Sequence, residues 1–309
     1  MVTKPLTCAV AVVTAALVAA APAHRVAPDA AVGTTGGTVS TTASRADVKI
    51  WEGLRSVGLT DDQRLVEFPV LYPDRARTLG RITGLIGDRR VVGIDYRVQD
   101  GLLYGVGDQG GVYSLDDATG VATRVSQLTV ALRGSSFGID FDPAADRLRI
   151  VSDTGQNLRH NLDDPNGAPA AGATADDGAL TDPAVLPATA RATALGVTGV
   201  GYTDNDLDAA TGATLFDVDT VADRISLQSP ADAGSLTPTG RLGVDAGPDG
   251  GFDVYFSPER GTNQAFAALE VGGLRALYRV DVLTGQAVTL GDFAAANRVV
   301  DLALPLSQT

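Results

Sequence analysis

Four aspartates recur at matching places in short apolar segments, and their type and spacing are the strongest chemical signal in the sequence. The segments are Gly93-Ile94-Asp95-Tyr96, Gly138-Ile139-Asp140-Phe141, Phe252-Asp253-Val254-Tyr255 and Val300-Asp301-Leu302. A related segment, Gly199-Val200-Gly201-Tyr202, has glycine in the aspartate position. If these segments surround one axis, the carboxylates could coordinate Ca²⁺ through oxygen, or raise one another's pKa as general acid–base catalysis requires.

The same aspartates also have a structural interpretation. Each could accept hydrogen bonds from neighbouring backbone or arginine groups and tie one repeat to the next. Recurrence in nearly every repeat is what a packing role predicts, whereas an active site usually breaks a repeat. We therefore favour the structural role and keep a Ca²⁺ site at Asp95, Asp140, Asp253 and Asp301 as the alternative. The sequence indicates no other cofactor.

Few other residues could do chemistry. The chain has one cysteine, Cys8, which lies in a predicted signal peptide, and two histidines, His24 and His160. A Ser-His-Asp triad or a histidine-rich zinc site is therefore hard to assemble, and a cysteine nucleophile is excluded from the mature chain. His160 lies in an otherwise polar segment, and we expect it to be exposed.

A second acidic segment, Asp204-Asn205-Asp206-Leu207-Asp208, has the alternating oxygens of a calcium loop. It has Ala209 where an EF-hand needs glycine and Leu215 where it needs glutamate. An EF-hand is therefore excluded, and only an irregular calcium site stays open here.

The elements that must position the four aspartates are short strands. Residues 91–127 contain four apolar or β-branched runs, separated by turn-forming clusters of aspartate and glycine. The runs are Val91 to Tyr96, Leu102 to Val106, Val112 to Leu115 and Val121 to Val125. None is long enough for a typical helix, so the pattern predicts a four-stranded antiparallel meander.

This meander is one unit of a repeat. The intervals from Asp95 through Asp140, Gly201 and Asp253 to Asp301 are 45, 61, 52 and 48 residues. A proposed third strand recurs as Val112 to Asp116, Leu215 to Asp219 and Leu277 to Asp281. Periods near fifty residues with four strands each predict an all-β propeller. We expect five blades, with six as the alternative because the 61-residue interval could hide further structure.

The two ends of the domain complement each other. Ser56 to Leu59, Arg64 to Phe68 and Thr78 to Ile82 read as three strands without an inner one, and Val299 to Leu304 reads as an isolated inner strand. Pairing the last strand with the first blade would close the ring and remove free sheet edges. The polar insertion Asp163 to Arg191 is either a binding loop or a tolerated surface insertion.

The N-terminal residues indicate export. Lys4, an apolar run and Ala21-Pro22-Ala23 predict a signal peptide over residues 1–23, and a disordered leader rich in small and polar residues follows over 24–47. Residues 48–309 would form one propeller domain. We therefore expect a secreted, extracellular protein with no membrane insertion in its mature form.

The net charge of −13 bears on the partners. A chain this acidic, with no cluster of basic residues, has no general attraction for nucleic acid or anionic lipid. We expect a monomer that binds an extracellular ligand or protein.

One motif resembles a known family. The run Asp146-Arg147-Leu148-Arg149-Ile150-Val151-Ser152-Asp153-Thr154-Gly155-Gln156-Asn157-Leu158-Arg159 is similar to the secreted bacterial proteins that carry the domain of unknown function DUF4394. The resemblance extends from Val57 to Leu304, and Gly201 departs from it. It implies a propeller-like repetitive β-fold and export, and it implies no established activity and no catalytic residues.

Two functions remain open. The one we favour is a secreted, non-catalytic propeller scaffold that binds a protein, glycan or small ligand through loops on one face. The alternative is a carboxylate-dependent extracellular hydrolase or lyase of glycosidase type, which uses the four aspartates near the axis. Two carboxylates about 5 to 10 Å apart in an open pocket would favour the enzyme, and carboxylates hydrogen-bonded to backbone would favour the scaffold.

Overall fold

The computed structural model describes residues 51–208 and 210–308. The predicted signal peptide (1–23), the predicted leader (24–47), the first residues of the predicted domain and Ala209 lie outside the described residues. The described chain contains 22 strands. They are β1 (Arg55–Thr60), β2 (Arg64–Pro69), β3 (Arg77–Arg81), β4 (Val91–Tyr96), β5 (Leu103–Gly107), β6 (Gly111–Leu115), β7 (Ala122–Gln127), β8 (Phe137–Asp142), β9 (Arg147–Ser152), β10 (Asn157–His160), β11 (Thr174–Asp176), β12 (Thr181–Asp182), β13 (Ala192–Thr193), β14 (Val197–Tyr202), β15 (Leu215–Asp219), β16 (Arg224–Gln228), β17 (Leu236–Arg241), β18 (Ala246–Ser257), β19 (Thr262–Val271), β20 (Leu274–Val280), β21 (Ala287–Asp292) and β22 (Val299–Ala303).

Five four-stranded antiparallel sheets form the blades of a propeller. Blade 1 has the order β22-β1-β2-β3, blade 2 is β4 to β7, blade 3 is β8 to β11, blade 4 is β14 to β17, and blade 5 is β18 to β21. The prediction of five blades is confirmed, and the six-blade alternative is wrong. The 61-residue interval holds the outer strand of blade 3 and the short hairpin β12-β13 instead of a further blade. Part of the predicted insertion Asp163 to Arg191 therefore belongs to a blade.

The last strand closes the ring, as the sequence predicts. Strand β22 pairs antiparallel with β1, with Val57 opposite Ala303 and Leu59 opposite Asp301. Because residues 246 apart in the chain share this sheet, blade 1 forms only when both ends of the domain are in place, and its inner edge is not left unpaired.

Aspartate side chains shape many of the tight turns between strands. The Oδ1 atom of Asp116, after β6, accepts the N–H groups of Ala118 and Thr119, each at 3.0 Å. The same turn follows Asp142, Asp219 and Asp281. Such a turn satisfies backbone donors locally and fits any hairpin of the blade.

One prediction is wrong because the same aspartate turn can follow different strands of a blade. The likeness of Leu215 to Asp219 to two other segments predicts a third strand there, but this segment is β15, the second strand of blade 4. Its equivalents in the other two proposed segments, β6 and β20, are third strands as predicted.

The hydrophobic core consists of five clusters, and each fills one interface between neighbouring blades. Representative pairs are Phe68 and Phe266 between blades 1 and 5, Leu59 and Ile94 between 1 and 2, Tyr104 and Phe141 between 2 and 3, Val151 and Val200 between 3 and 4, and Phe216 and Phe252 between 4 and 5. Two single 3₁₀ turns, Pro73–Arg75 and Ala231–Ala233, lie between the strands. A membrane-spanning helix is not found in the described part of the chain.

Candidate functional site on the propeller axis

The inner strands bring the predicted aspartates to the propeller axis. Asp95 on β4, Asp140 on β8 and Asp253 on β18 place carboxylate oxygens within 4.8 Å of one another. Asp301, on β22, lies outside this group of three but beside it, since the charge of Asp253 acts on its pKa. All four side chains are buried, with 1 to 5% of each residue exposed.

Glycines two positions before the aspartates allow this convergence. A Cβ atom added to Gly138 would lie 2.7 Å from the carbonyl carbon of Gly199 on the next inner strand. A Cβ atom on Gly93 would lie 2.5 Å from Ile139 Cδ1, and one on Gly251 would overlap the backbone of Asp301. At Gly138 and Gly251 the inner strands therefore approach too closely for a side chain, and at Gly93 the space is already filled by the Ile139 side chain.

Each axial aspartate accepts a backbone N–H from the inner strand of another blade or, for Asp253, from the residue just after that strand. Asp301 Oδ2 accepts from Ile94 at 2.8 Å, Asp95 Oδ2 from Phe141 at 2.8 Å, Asp140 Oδ1 from Tyr202 at 3.2 Å, and Asp253 Oδ2 from Leu304 at 2.6 Å. These bonds link blades 1 to 2, 2 to 3, 3 to 4 and 5 to 1. We call them the axial latches. They are the contacts that the structural interpretation of the sequence predicts.

The missing latch is at blade 4, where Gly201 replaces the aspartate. The N–H of Val254 in blade 5 is bonded instead by Asp253 Oδ1 of its own strand. Asn205 connects the two blades at this point by donating to the Val254 carbonyl at 2.8 Å. The axial connection between blades 4 and 5 therefore uses an amide where the other connections use a carboxylate.

Burial raises the pKa of all four axial carboxyl groups, because an apolar environment disfavours the charged form. The charge of Asp253 raises the pKa of Asp95 further, and the charge of Asp95 does the same to Asp140. Asp253 accepts two backbone N–H bonds that offset part of the burial, and its pKa is raised to about 6. The four groups cannot all be ionised at neutral pH without a counter-charge.

A funnel opens above the aspartates, on the face where the inner strands begin. All five inner strands line this cavity of about 140 Å³, and they contribute Val91, Val92, Phe137, Thr198, Gly250 and Val300. Its rim carries polar side chains from the connecting loops and, at Asp249, from the first part of β18. The rim residues are Asp61, Gln63, Arg90, Ser135, Ser136 and Asp249.

The rim acids are already paired, and the rim arginine is not. Asp61 lies 3.0 Å from Arg298 Nε, and Asp249 pairs with Arg275. Arg90 is exposed and forms no salt bridge with a residue in the described ranges. A further carboxylate shares both of these arginines, so this network keeps one net negative charge. Among the described residues, Arg90 is therefore the one cation of the funnel mouth outside these ion pairs, and it lies beside hydroxyl groups.

His160 is not exposed, so that prediction is wrong. It is 0% exposed on β10, where Ser126 Oγ lies 2.9 Å from Nε2 and Thr174 Oγ1 lies 3.0 Å from Nδ1. Burial lowers its pKa to about 4, so the ring is neutral at physiological pH. The residues next to His160 in the sequence are polar and therefore predict an exposed segment, but the His160 side chain packs between blades 2 and 3.

The acidic segment 204–208 uses its oxygens in local contacts. Asp204 Oδ1 accepts from Asn263 Nδ2 at 2.9 Å, and Asp206 and Asp208 each accept a backbone N–H two residues ahead. These bonds define a turn that packs against blade 5. They account for the alternating polar residues without a bound ion.

A family model described as domain of unknown function (DUF4394) matches residues 64–303. The chain belongs to the DUF4394 family. No curated protein sequence matches it significantly.

Solved structures that are similar to this DUF4394 protein include a Lactobacillus plantarum protein, with 19% identity and a TM-score of 0.37 over 77% of this chain and 66% of that one. Two others are described as auxiliary nutrient binding proteins. The one from Bacteroides ovatus has 14% identity and a TM-score of 0.37 over 73% of this chain and 56% of that one. The one from Bacteroides thetaiotaomicron has 15% identity and a TM-score of 0.41 over 69% of this chain and 53% of that one. The chain thus spans between half and two thirds of the length of these proteins.

Residues 146–159, which resemble the DUF4394 family, form part of the contact between blades 3 and 4. The sequence alone does not predict this contact. On the blade 3 side, Arg149 donates to Asn157 Oδ1 and to Asp177 Oδ2, each at 2.8 Å; Arg149 and Asn157 are buried and Asp177 is half-buried. Asn157 Nδ2 in turn donates to the carbonyl of Ala231, between two strands of blade 4, at 2.9 Å. Asp217 of blade 4 is buried nearby with neither carboxylate oxygen hydrogen-bonded. Arginine alternates with leucine and isoleucine along β9, so the sequence predicts that Arg149 lies on one face of the strand. It does not predict which residues Arg149 contacts.

Proposed function

We propose that this DUF4394 protein is a secreted, non-catalytic binding propeller whose axial funnel takes up a small hydroxylated molecule with an acidic group. The single observation that supports it is the funnel itself, to which every inner strand contributes at the mouth of the ring. Sites where several elements of a rigid scaffold converge are the usual location of ligand binding.

The size of the funnel limits the ligand. A cavity of about 150 Å³ holds one molecule of the size of benzene, and the funnel has about 140 Å³. A hexuronate is larger than benzene, so it would place its carboxylate and part of its ring in the funnel and leave the rest at the open mouth, and a polymer could enter only by a terminal unit.

The rim chemistry favours an acidic, hydroxylated ring. Arg90 supplies a positive charge outside the ion pairs of the described residues, and Ser135 and Ser136 supply hydroxyl groups. A carboxylate on the ligand would gain a charge-assisted hydrogen bond from Arg90, and ring hydroxyls could exchange hydrogen bonds with the two serines.

The burial of the axial aspartates favours binding over hydrolysis. A glycosidase needs one carboxylic acid and one carboxylate on either side of an open substrate site. Asp95, Asp140 and Asp253 are instead buried together below the funnel, and each accepts a backbone N–H from another blade. In this arrangement they hold blades together and do not face a substrate.

The test is calorimetric titration of the mature protein with glucuronate, galacturonate and their neutral parent sugars. We expect a uronate to bind and the neutral sugar to bind more weakly. Arg90→Ala should weaken uronate binding about tenfold or more, because a charge-assisted hydrogen bond contributes about 1.5 to 3 kcal/mol. The matched control is Arg89→Ala, which removes a neighbouring exposed arginine that does not line the funnel.

Absence of binding by all four sugars would refute the ligand class. Equal losses in Arg90→Ala and Arg89→Ala would refute the funnel as the site. Release of a new product during incubation with a uronate-terminated oligosaccharide would refute the non-catalytic assignment.

A further inference from the structure

The axis holds four buried carboxyl groups and no basic partner. Within residues 51–208 and 210–308, none of Asp95, Asp140, Asp253 and Asp301 forms a salt bridge. Other buried aspartates of this protein do have one, such as Asp219 with Arg224 at 3.0 Å. Buried charges are normally paired or bound to a metal ion, so the axial cluster needs either protons or a cation.

A second observation points to a ligand. Asp140 Oδ2 is buried and has no hydrogen-bond partner in the described structure, while Oδ1 of the same carboxyl group accepts the Tyr202 N–H. Asp140 is 1% exposed and belongs to the group whose oxygens lie within 4.8 Å of one another. A buried acceptor without a donor is rare in folded proteins and calls for an unseen partner.

We infer that Asp95, Asp140 and Asp253 form a cation site on the propeller axis and that the cation is Ca²⁺. The site is separate from the proposed sugar site, since it lies below the funnel. Strand β4 runs from Val92 at the funnel wall to Asp95, three residues at about 3.3 Å each, so the two sites are about 10 Å apart.

The chemistry of the donor set favours a cation over water. The unpaired atoms between blades 3 and 4 include both acceptors, such as those of Asp217, and a donor, Arg149 Nε, and that mixture suits water. The axial group offers carboxylate oxygens alone. A hard cation satisfies such a set, and the N–H bonds leave each ligating carboxylate with free lone pairs.

The way the carboxylates are held favours Ca²⁺ over Mg²⁺. Asp95, Asp140 and Asp253 come from three blades, and each is held by a backbone N–H of another blade, so their oxygens form an irregular set within 4.8 Å of one another. Ca²⁺ accepts irregular sets of carboxylate oxygens, whereas Mg²⁺ demands near-ideal octahedral geometry and usually keeps several waters.

The position of the site suggests what the ion does. Asp140 belongs to blade 3 and Asp253 to blade 5, the two neighbours of blade 4, and blade 4 has Gly201 in place of an axial aspartate. A cation bound by both carboxylates would join blades 3 and 5 across the missing latch. It would therefore stabilise the closed ring.

The experiment measures calcium binding and thermal unfolding of the mature protein after treatment with EDTA. We expect one Ca²⁺ per chain by calorimetry. At a Ca²⁺ concentration one hundred times Kd, the unfolding midpoint should rise by about 5 to 10 °C. Mg²⁺ should give a smaller rise at the same concentration.

The decisive variant is Asp140→Asn, which keeps an oxygen to accept the Tyr202 N–H and removes the charge of the unpaired oxygen. It should lose the calcium response. Asp206→Asn, in the acidic segment 204–208 away from the axis, is the matched control and should keep it, and Asp301→Asn should lower the midpoint without abolishing the response.

Two results would overturn the inference. One is the absence of calcium binding to the wild-type protein, which would mean that protons alone neutralise the cluster. The other is a calcium response that survives in folded Asp140→Asn, or is lost in Asp206→Asn. The wild-type stoichiometry decides the matter even if Asp140→Asn does not fold, because a value of zero excludes the site without any variant.

Discussion

Replacing Gly138 by alanine would put a methyl group between two inner strands that are in contact. The added Cβ atom would lie 2.7 Å from both the carbonyl carbon of Gly199 and the nitrogen of Val200. These are backbone atoms, so no side chain can rotate away to make room. Strands β8 and β14 would have to separate by several tenths of an ångström.

The separation has two costs. Overpacking of this kind destabilises proteins by about 1 to 3 kcal/mol. The strand movement also lengthens the latch between Asp140 Oδ1 and the Tyr202 N–H, which is already 3.2 Å, and a hydrogen bond between uncharged groups contributes about 0.5 to 1.5 kcal/mol. With partial relaxation, Gly138→Ala should destabilise the protein by about 3 kcal/mol, which lowers the unfolding midpoint of a domain this size by about 6 to 12 °C.

Chemical denaturation and thermal unfolding, both in EDTA, measure this loss. The matched control is Gly212→Ala, at an exposed glycine whose added Cβ would meet nothing within 4 Å. We expect the control to stay within about 0.5 kcal/mol of the wild-type free energy of unfolding. Equal stability of the two variants would refute the conclusion that glycine is required at the axis for close approach of the inner strands.

Two further predictions concern groups away from the axis. Arg97 is buried and pairs with Asp146 and Asp163, each at 2.6 Å. Arg97→Ala should lower the free energy of unfolding in urea by about 2 kcal/mol, less than for a fully buried pair because Asp163 is largely exposed. The control Arg89→Ala removes an exposed arginine and should lower it by under about 0.5 kcal/mol, and equal losses would contradict the role of burial. The His160 ring should titrate by NMR with a midpoint near 4. Because this pKa is lowered from 6.5, the contribution of the neutral ring to stability is present above about pH 6.5 and is lost as the pH falls towards 4. A midpoint near 6.5 would show that the ring is exposed.

The sequence alone determined the blades. Strand length, β-branched composition and turn residues are local properties, and the repeat of one unit at intervals near fifty residues turned them into an architecture. The same repetition located Asp95, Asp140, Asp253 and Asp301 on inner strands, and it predicted that the last strand completes the first blade. Each of these follows from positions within one repeat, or from the comparison of one repeat with another.

Local signals failed where one pattern fits two places. The aspartate turn after Asp219 follows a second strand, while the same turn after Asp116 follows a third strand. For His160, polar neighbours in sequence indicated an exposed ring, but the ring lies on the face of β10 that packs against blade 2 and is therefore buried. Both outcomes depend on which strand packs against which, and a short polar segment does not encode that choice.

Only the tertiary structure decided what surrounds the axial aspartates. The Asp95 carboxylate accepts the N–H of Phe141, 46 residues later in the chain, and Asp301 accepts that of Ile94, 207 residues earlier. The close approach at Gly138, the unpaired oxygen of Asp140 and the absence of a neighbouring arginine among the described residues appear only when the ring is closed. Composition and spacing specify which groups are carried to the axis, but the distances between groups on different blades, and therefore their charge state and partners, are set by how five blades pack around it.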